Sequence, residues 1–247
     1  MKLNILYFIL FVLAAGSDIY AKPSKNISQK YGRTKIIVRQ ARPSSRNISG
    51  QPATGQAVQT AAQKFFAALD KLPVNFVKRA GLRYVTFLEN PKLKNIPVGG
   101  VASGDTIVLS INCSERTVFH ELFHIFDPLP QVKGWQNLNN KKFVYTGSQY
   151  YEEKLSRRKR KRKDQNLSAK KFDSDFVSRY AMSNEKEDRA ETFAAMIVEK
   201  KNFLQRTRKN PVLQKKMKFI IDMTDKKKLI GKDFWKKHFG VQNLSVL

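Results

Sequence analysis

The sequence predicts a single domain of the α+β class, with strands in the first half of the chain and helices in the second. Three segments rich in β-branched and aromatic residues occur at 33–40, 82–89 and 105–112, as expected of strands. Apolar residues recur at helical spacing at 57–72, 114–127, 184–201 and 210–223. The last two of these segments make the C-terminal half helical.

Local signals set the expected ends of these helices. Pro73 ends the first one, because proline cannot continue a helix. Ser114 is placed to cap the second, and Pro128 ends it. Asn184 is a good N-cap for the third. The predicted boundaries therefore rest on residue chemistry as well as on hydrophobic spacing.

The N-terminus has the layout of a secretory signal peptide at 1–21. Lys2 is followed by an apolar run from about Leu3 to Ala15, which is shorter than the ~20 residues of a membrane span. Cleavage is expected after Ser17 or after Ala21. A polar tether is expected at 22–32, followed by one domain at 33–247 with a basic loop at about 151–172.

The chain has a formal net charge of +27 and a single cysteine, Cys113. One cysteine excludes an intramolecular disulfide, so the fold must rest on its hydrophobic core. Such a charge favours anionic surfaces, acidic proteins or nucleic acid as partners. Seven consecutive basic residues at 157–163 predict a solvated loop that could contact an anionic surface or polymer.

Two of the three histidines lie four residues apart in the stretch HELFH at 120–124. This spacing lets both imidazoles reach one tetrahedral zinc ion, with Glu121 placed to act on a water bound to the metal. The rest of the helix is apolar and should be buried. Buried ionisable groups are costly unless a partner satisfies them, and a cation would do so. The pattern therefore predicts a zinc site at His120 and His124.

A third zinc ligand must come from elsewhere in the chain. The remaining histidine, His238, lies in a basic late segment and is expected to be a surface or packing residue. Glu187 is the better candidate, because it shares a predicted helix face with small residues that allow another helix to approach. Glu191, one turn further, could accept the second ring N–H of a ligand histidine. The spacing from Asn184 to Glu187 also fits a capping box, so the helical pattern leaves both roles of Glu187 open.

Two stretches resemble the motifs of the anthrax-lethal-factor-like zinc peptidases, which include the secreted Pro-Pro endopeptidases. Members combine a HExxHxxD helix with a downstream tyrosine and, seven residues later, a glutamate in an E-x-x-A-E helix. The chain has HELFHIFD at 120–127 and YAMSNEKEDRAE at 180–191. The basic run at 157–163 is a departure from the family pattern.

The resemblance implies a zinc cofactor with three protein ligands, which would be His120, His124 and Glu187. It also implies that Glu121 is the general base and that Tyr180 helps to stabilise the transition state. The alternative for Tyr180 is a purely structural role, as an aromatic residue packed near a helix start.

The resemblance further implies a zincin-like metallopeptidase domain over 33–247, in which a small mixed sheet has an edge strand packed against the metal-binding helix. Asp127 and Glu191 would support the ligands without touching the metal. A peptide substrate is expected to pair with a free edge of the strand at 105–112.

We therefore expect a secreted, monomeric zinc endopeptidase with no membrane span after signal removal. Its substrates would be proteins or peptides, either acidic or attached to a surface. The alternative is a secreted basic protein that binds anionic polymer, a cell surface or nucleic acid and carries a non-catalytic metal site. Replacing Glu121 distinguishes the two, because only a peptidase needs that carboxylate.

Overall fold

The computed structural model describes residues 20–41, 47–127, 134–147 and 173–244. The strands in these ranges are β1 (Tyr20–Tyr31), β2 (Thr34–Ala41), β3 (Ile48–Pro52), β4 (Tyr84–Leu93), β5 (Ile96–Pro97), β6 (Gly100–Ser103) and β7 (Thr106–Ser110). The α-helices are α1 (Gly55–Leu69), α2 (Val74–Ala80), α3 (Glu115–Phe126), α4 (Glu185–Val198), α5 (Lys200–Thr207), α6 (Pro211–Lys226) and α7 (Lys232–Phe239). The predicted mixed sheet and helical C-terminal half are both present.

The strands form one mixed sheet with the order β1-β2-β4-β7-β6, and β3 and β5 also pair with β4. The central strands β2, β4 and β7 are parallel, while β1 and β6 run antiparallel at the two ends. Parallel strands are usually covered on both faces, which explains the nearly continuous apolar runs of β4 and β7. The predicted strands at 33–40, 82–89 and 105–112 are thus the parallel centre of the sheet.

Alternate residues of the central strands point into the main core. Val85 and Phe87 on β4, with Ile107 and Leu109 on β7, pack against helices α1 and α3. The opposite face of the sheet carries a smaller cluster built on Ile48, Leu88 and Val108. The period-2 pattern of the strands therefore decides which side of the sheet receives the helices.

Helices α3 and α4 pack directly on each other, and aromatic side chains hold them in place. Phe123 of α3 stacks on Phe193 of α4 with ring centroids 4.8 Å apart, and Phe193 also stacks on Phe76 of α2 at 5.4 Å. All residues of α4 from Glu187 to Ile197 are buried. A helix buried on every side must satisfy its polar residues inside the protein.

The capping predictions for these two helices are confirmed. The Ser114 side chain accepts a hydrogen bond from the backbone N–H of Thr117. The Asn184 side chain accepts from the N–H groups of Lys186 and Glu187, at 3.0 and 3.1 Å. Two well-capped helix starts therefore fix the register of the residues that follow.

The predicted tether at 22–32 is wrong, because most of it forms β1 and pairs with β2. Tyr31 is buried and Ile27 packs against the core, whereas Ser28 and Lys30 are exposed. This alternation is typical of an edge strand that has one face exposed to solvent. The polar composition of the segment concealed it.

The predicted helix at 57–72 is α1, which ends at Leu69. The chain then turns, and Pro73 is the N-cap of the short helix α2 and not the residue that ends α1. Gly81 ends α2 with a φ of +88°, a left-handed conformation that glycine adopts without steric cost. No helix in the described part of the chain is long and apolar enough to cross a membrane.

Several predictions concern residues outside the described ranges. They include the apolar part of the signal peptide, the basic run at 157–163 and the loop at about 151–172.

Candidate metal centre

Helix α3 carries His120 and His124 on one face, one turn apart. Their Nε2 atoms approach to 3.0 Å, and the two rings meet edge to face. His120 is 5% exposed, and Glu121 beside it is 7% exposed. The apolar flanks of α3 therefore place His120 and Glu121 in the interior and leave His124 partly buried.

The first turn of α4 brings Glu187 to the two histidines. One carboxylate oxygen of Glu187 lies 3.0 Å from Nε2 of His120 and 3.1 Å from Nε2 of His124. Asn184 caps the helix through its own side chain, and the Glu187 carboxylate points to the histidines. Of the two roles left open by the sequence, this placement favours metal binding over a capping box.

The charges of this cluster are strongly coupled. Burial alone would lower the pKa of His120, but Glu187, Glu191 and Glu121 together raise it to about 10. Burial would raise the pKa of Glu187, but the two histidines outweigh it and lower that pKa. The three carboxylates therefore favour positive charge at the two histidines.

The donor atoms fit a zinc ion. Ligand atoms of His120, His124 and Glu187 all lie within 4.8 Å of one another. Two imidazole nitrogens and one carboxylate oxygen are a common donor set for catalytic zinc, which keeps a fourth position open. A cation at their meeting point would replace the repulsion between two close nitrogen lone pairs with two bonds.

Glu191 lies behind the site on α4. One of its oxygens is 2.9 Å from Nδ1 of His120, although it lies off the ring N–H direction. Burial would raise the pKa of Glu191, but His120, Arg116 and Ser178 lower it to about 2. An ionised carboxylate at this position favours the ring tautomer that leaves Nε2 of His120 free for a metal.

Asp127 occupies a different place from Glu191. Its carboxylate accepts a hydrogen bond of 2.8 Å from Nε of Arg189 on α4, and both side chains are inaccessible to solvent or nearly so. Asp127 therefore ties the end of α3 to α4, and its described contacts are with Arg189 and not with a ligand ring.

Tyr180 begins a short 3₁₀ turn (Tyr180–Met182) just before α4. Its ring stacks on the ring of His120, with centroids 5.7 Å apart and planes 28° from parallel. The turn is thus adjacent to the histidine pair. His238, in contrast, lies on α7, where its Nε2 atom is 2.9 Å from the carbonyl oxygen of Met196 and its ring stacks on Phe234.

Strand β6 crosses the site beside Glu121. A Cβ atom built on Gly100 would lie 2.7 Å from Cγ of Glu121 and 2.9 Å from Leu109. Only glycine allows this approach. Burial raises the pKa of Glu121, against the opposing effects of the two histidines and the backbone N–H of Ala102.

The prediction that 105–112 offers a free strand edge is wrong. β7 is paired on both sides, with β4 and with β6, and β6 is the edge strand. The N–H of Ser110 donates to Gly99 and the N–H of Ile111 donates to Leu88, which fixes the alternation of the ladder. In this alternation, the main-chain N–H and C=O groups of Gly100 and Ala102 point away from β7. The sequence feature at this edge is the Gly99-Gly100 pair, since glycine allows a close approach of the backbone.

Helices α3 and α4 bring together two histidines and a glutamate, a donor set typical of zinc proteins, and comparison with known proteins gives the family. Residues 101–243, more than half of the chain, match the family model described as "Putative zinc-binding metallo-peptidase". The chain belongs to this family, and its cofactor is zinc.

A crystal structure of a Bacteroides caccae protein carries the same description. It is similar to this chain with 14% sequence identity and a TM-score of 0.48, over 83% of each chain. The curated proteins contain no match to the chain.

Proposed function

We propose that the protein is a zinc-dependent endopeptidase in which His120, His124 and Glu187 hold the metal. The observation that carries this proposal is the convergence of these three donors beside a buried carboxylate, Glu121, and an edge strand. A purely structural metal site needs neither an adjacent base nor an open strand edge.

Bound zinc would lower the pKa of a water molecule and polarise the scissile carbonyl. Glu121 then accepts the proton of the attacking water and passes it to the leaving amine. Burial raises the pKa of Glu121, which makes its carboxylate a stronger base for that proton. The Tyr180 hydroxyl donates a hydrogen bond to the oxyanion that develops on the substrate.

The substrate would bind as an additional strand on β6. Gly100 offers its main-chain groups and Ala102 its carbonyl oxygen, since the Ala102 N–H already bonds the Glu121 carboxylate. An extended peptide paired there would run past Glu121. This arrangement agrees with the resemblance of 120–127 and 180–191 to the anthrax-lethal-factor-like peptidases. On this basis we propose that the chain is a member of that group and has a zincin-like fold.

We further propose that the protein acts outside the cell after removal of its signal peptide. Its net charge of +27 favours acidic substrates or substrates attached to anionic surfaces. N-terminal sequencing of protein from the culture medium tests this, since it should begin at residue 18 or 22. Retention of Met1 in cell-associated protein would contradict it.

The test of the activity is cleavage of a diverse peptide library by zinc-loaded residues 22–247. Glu121→Gln should reduce turnover about a thousandfold, because it removes general base catalysis. The matched control is Glu115→Gln on the same helix, which lies outside the site in an ion pair with Lys71. Defined cleavage by wild type and by the control, lost in Glu121→Gln, supports the peptidase. Undiminished cleavage by Glu121→Gln contradicts the proposed role of Glu121 as the general base. No cleavage by zinc-bound wild type, on peptides or on folded proteins, contradicts the peptidase and favours the alternative of a basic protein that binds an anionic partner.

A further inference from the structure

The Glu191 carboxylate is a junction between the two metal-binding helices. One of its oxygens faces Nδ1 of His120 at 2.9 Å. The other accepts a hydrogen bond of 2.8 Å from Arg116 and one of 2.6 Å from Ser178. All of these groups are buried or partly buried, so the contacts are protected from competition by water.

Arg116 lies on the first turn of α3, four residues before His120. Its guanidinium spans two carboxylates on neighbouring helices, with one NH₂ group on Glu191 and the other on Glu199 at the junction of α4 and α5. Arginine is suited to this task because its planar fork fixes the direction of each bond. The side chain is 23% exposed, so neither contact is a loose surface pair.

Ser178 connects the same carboxylate to the turn that carries Tyr180. Its hydroxyl donates to Glu191 and accepts a hydrogen bond of 3.1 Å from the backbone N–H of Ala181. Through Ser178, the position of Glu191 is therefore tied to the 3₁₀ turn beside His120.

We propose that Arg116 and Ser178 are positioning residues for the metal centre. They hold Glu191 in the orientation that fixes the His120 ring and leaves its Nε2 atom free for zinc. The inference rests on the proposed role of His120 as a ligand. Outer partners of ligand histidines typically contribute about 10- to 100-fold to metal affinity. Arg116 and Ser178 contact Glu191 and not His120 itself, so their effect on zinc affinity lies near the lower end of this range.

The test measures zinc affinity by competition with a chelator, together with the visible spectrum of the cobalt-substituted protein. Arg116→Met and Ser178→Ala should each weaken zinc binding about tenfold and alter the cobalt bands. Arg116→Lys and Ser178→Thr, which keep the charge and the hydroxyl, should restore much of the affinity. Circular dichroism establishes that each variant is folded.

Glu199→Gln separates the two contacts of Arg116. This variant weakens the contact at the α4–α5 junction and leaves the one with Glu191, so zinc affinity should stay within twofold of wild type. The proposal is overturned if Glu199→Gln costs as much as Arg116→Met. It is also overturned if folded Arg116→Met and Ser178→Ala bind zinc and cobalt as wild type does. Unchanged zinc affinity in His120→Ala would instead overturn the proposed metal site itself.

Discussion

Glu187 and Asp188 are neighbours on α4, both are buried, and their surroundings differ completely. Asp188 has a cation of the chain itself: Nζ of Lys216 lies 2.8 Å away, and both side chains are inaccessible to solvent. The Trp135 N–H and the Tyr145 O–H also donate to Asp188, at 2.9 and 2.8 Å. Burial raises the pKa of Asp188, and these partners counter the rise.

Glu187 faces two imidazole nitrogens, and no Lys or Arg of the described residues forms an ion pair with it. Its surroundings supply lone pairs for a metal and not a fixed positive charge. The difference shows how one helix turn carries two kinds of buried acid. A buried carboxylate that forms an ion pair with a lysine of the same chain stabilises the fold. A buried carboxylate beside two possible metal ligands marks a site for an external cation.

The largest expected effect comes from removing the internal cation. Lys216→Met leaves Asp188 buried without its charge partner and should lower the free energy of unfolding by about 3–5 kcal/mol. Urea denaturation measures this. Lys215→Met, one residue away and exposed, is the matched control and should change stability by less than about 0.5 kcal/mol. Equal stability of Lys216→Met and wild type would mean that Asp188 is not an ionised structural group.

A smaller effect is expected where β6 meets Glu121. Gly100→Ala places a methyl group against the base and should reduce peptide turnover up to about a hundredfold, since small displacements of catalytic groups are costly. Zinc affinity should stay within a few-fold, because Gly100 touches no proposed ligand in the described contacts.

Gly231→Ala is a suitable control for that variant, because its Cβ atom would meet nothing closer than 4.0 Å. Full turnover in Gly100→Ala would show that the close approach of β6 to Glu121 has no catalytic role.

The smallest effect concerns Tyr31, where both partners belong to the chain and no metal is involved. Burial and the hydrogen bond to Asp70 raise the pKa of Tyr31 above its unfolded value of about 10. Its contribution to stability is therefore fully present below pH 10 and is lost as the pH rises toward the folded pKa. Between pH 9 and pH 11, the free energy of unfolding should fall less in Tyr31→Phe than in wild type. The difference between the two falls should be below about 1 kcal/mol.

Urea denaturation at the two pH values checks this prediction. The same loss in both proteins would show that the β1–α1 contact does not hold the phenol in its protonated form. It would also weaken the assignment of β1 as a stably docked strand.

The sequence predicts the central strands and both metal-binding helices because their signals are local. Apolar spacing, Ser114 and Asn184 act within one or two turns, and the structure has the same caps. The HExxH spacing likewise brings two imidazoles together on any regular helix.

The features missed by the sequence depend on contacts between distant segments. The polar segment of β1 forms a strand by pairing with β2, and Tyr31 ties its end to Asp70, 39 residues away. The edge position of β6 follows from strand order, which local composition does not encode. Arg116 meets Glu191 only because α3 packs on α4, so neither residue alone indicates that the two are linked.

The most direct test of the account is zinc binding by two variants of the same helix turn. Zinc is titrated against wild type, Glu187→Gln and Glu185→Gln. Glu187 is the proposed ligand, whereas Glu185 already forms an ion pair with Arg189. Wild type and Glu185→Gln should each bind one zinc ion with similar affinity. Glu187→Gln should bind it more weakly by at least the ~10- to 100-fold contributed by outer partners. Equal affinity in all three proteins would contradict the central claim that Glu187 completes the metal centre.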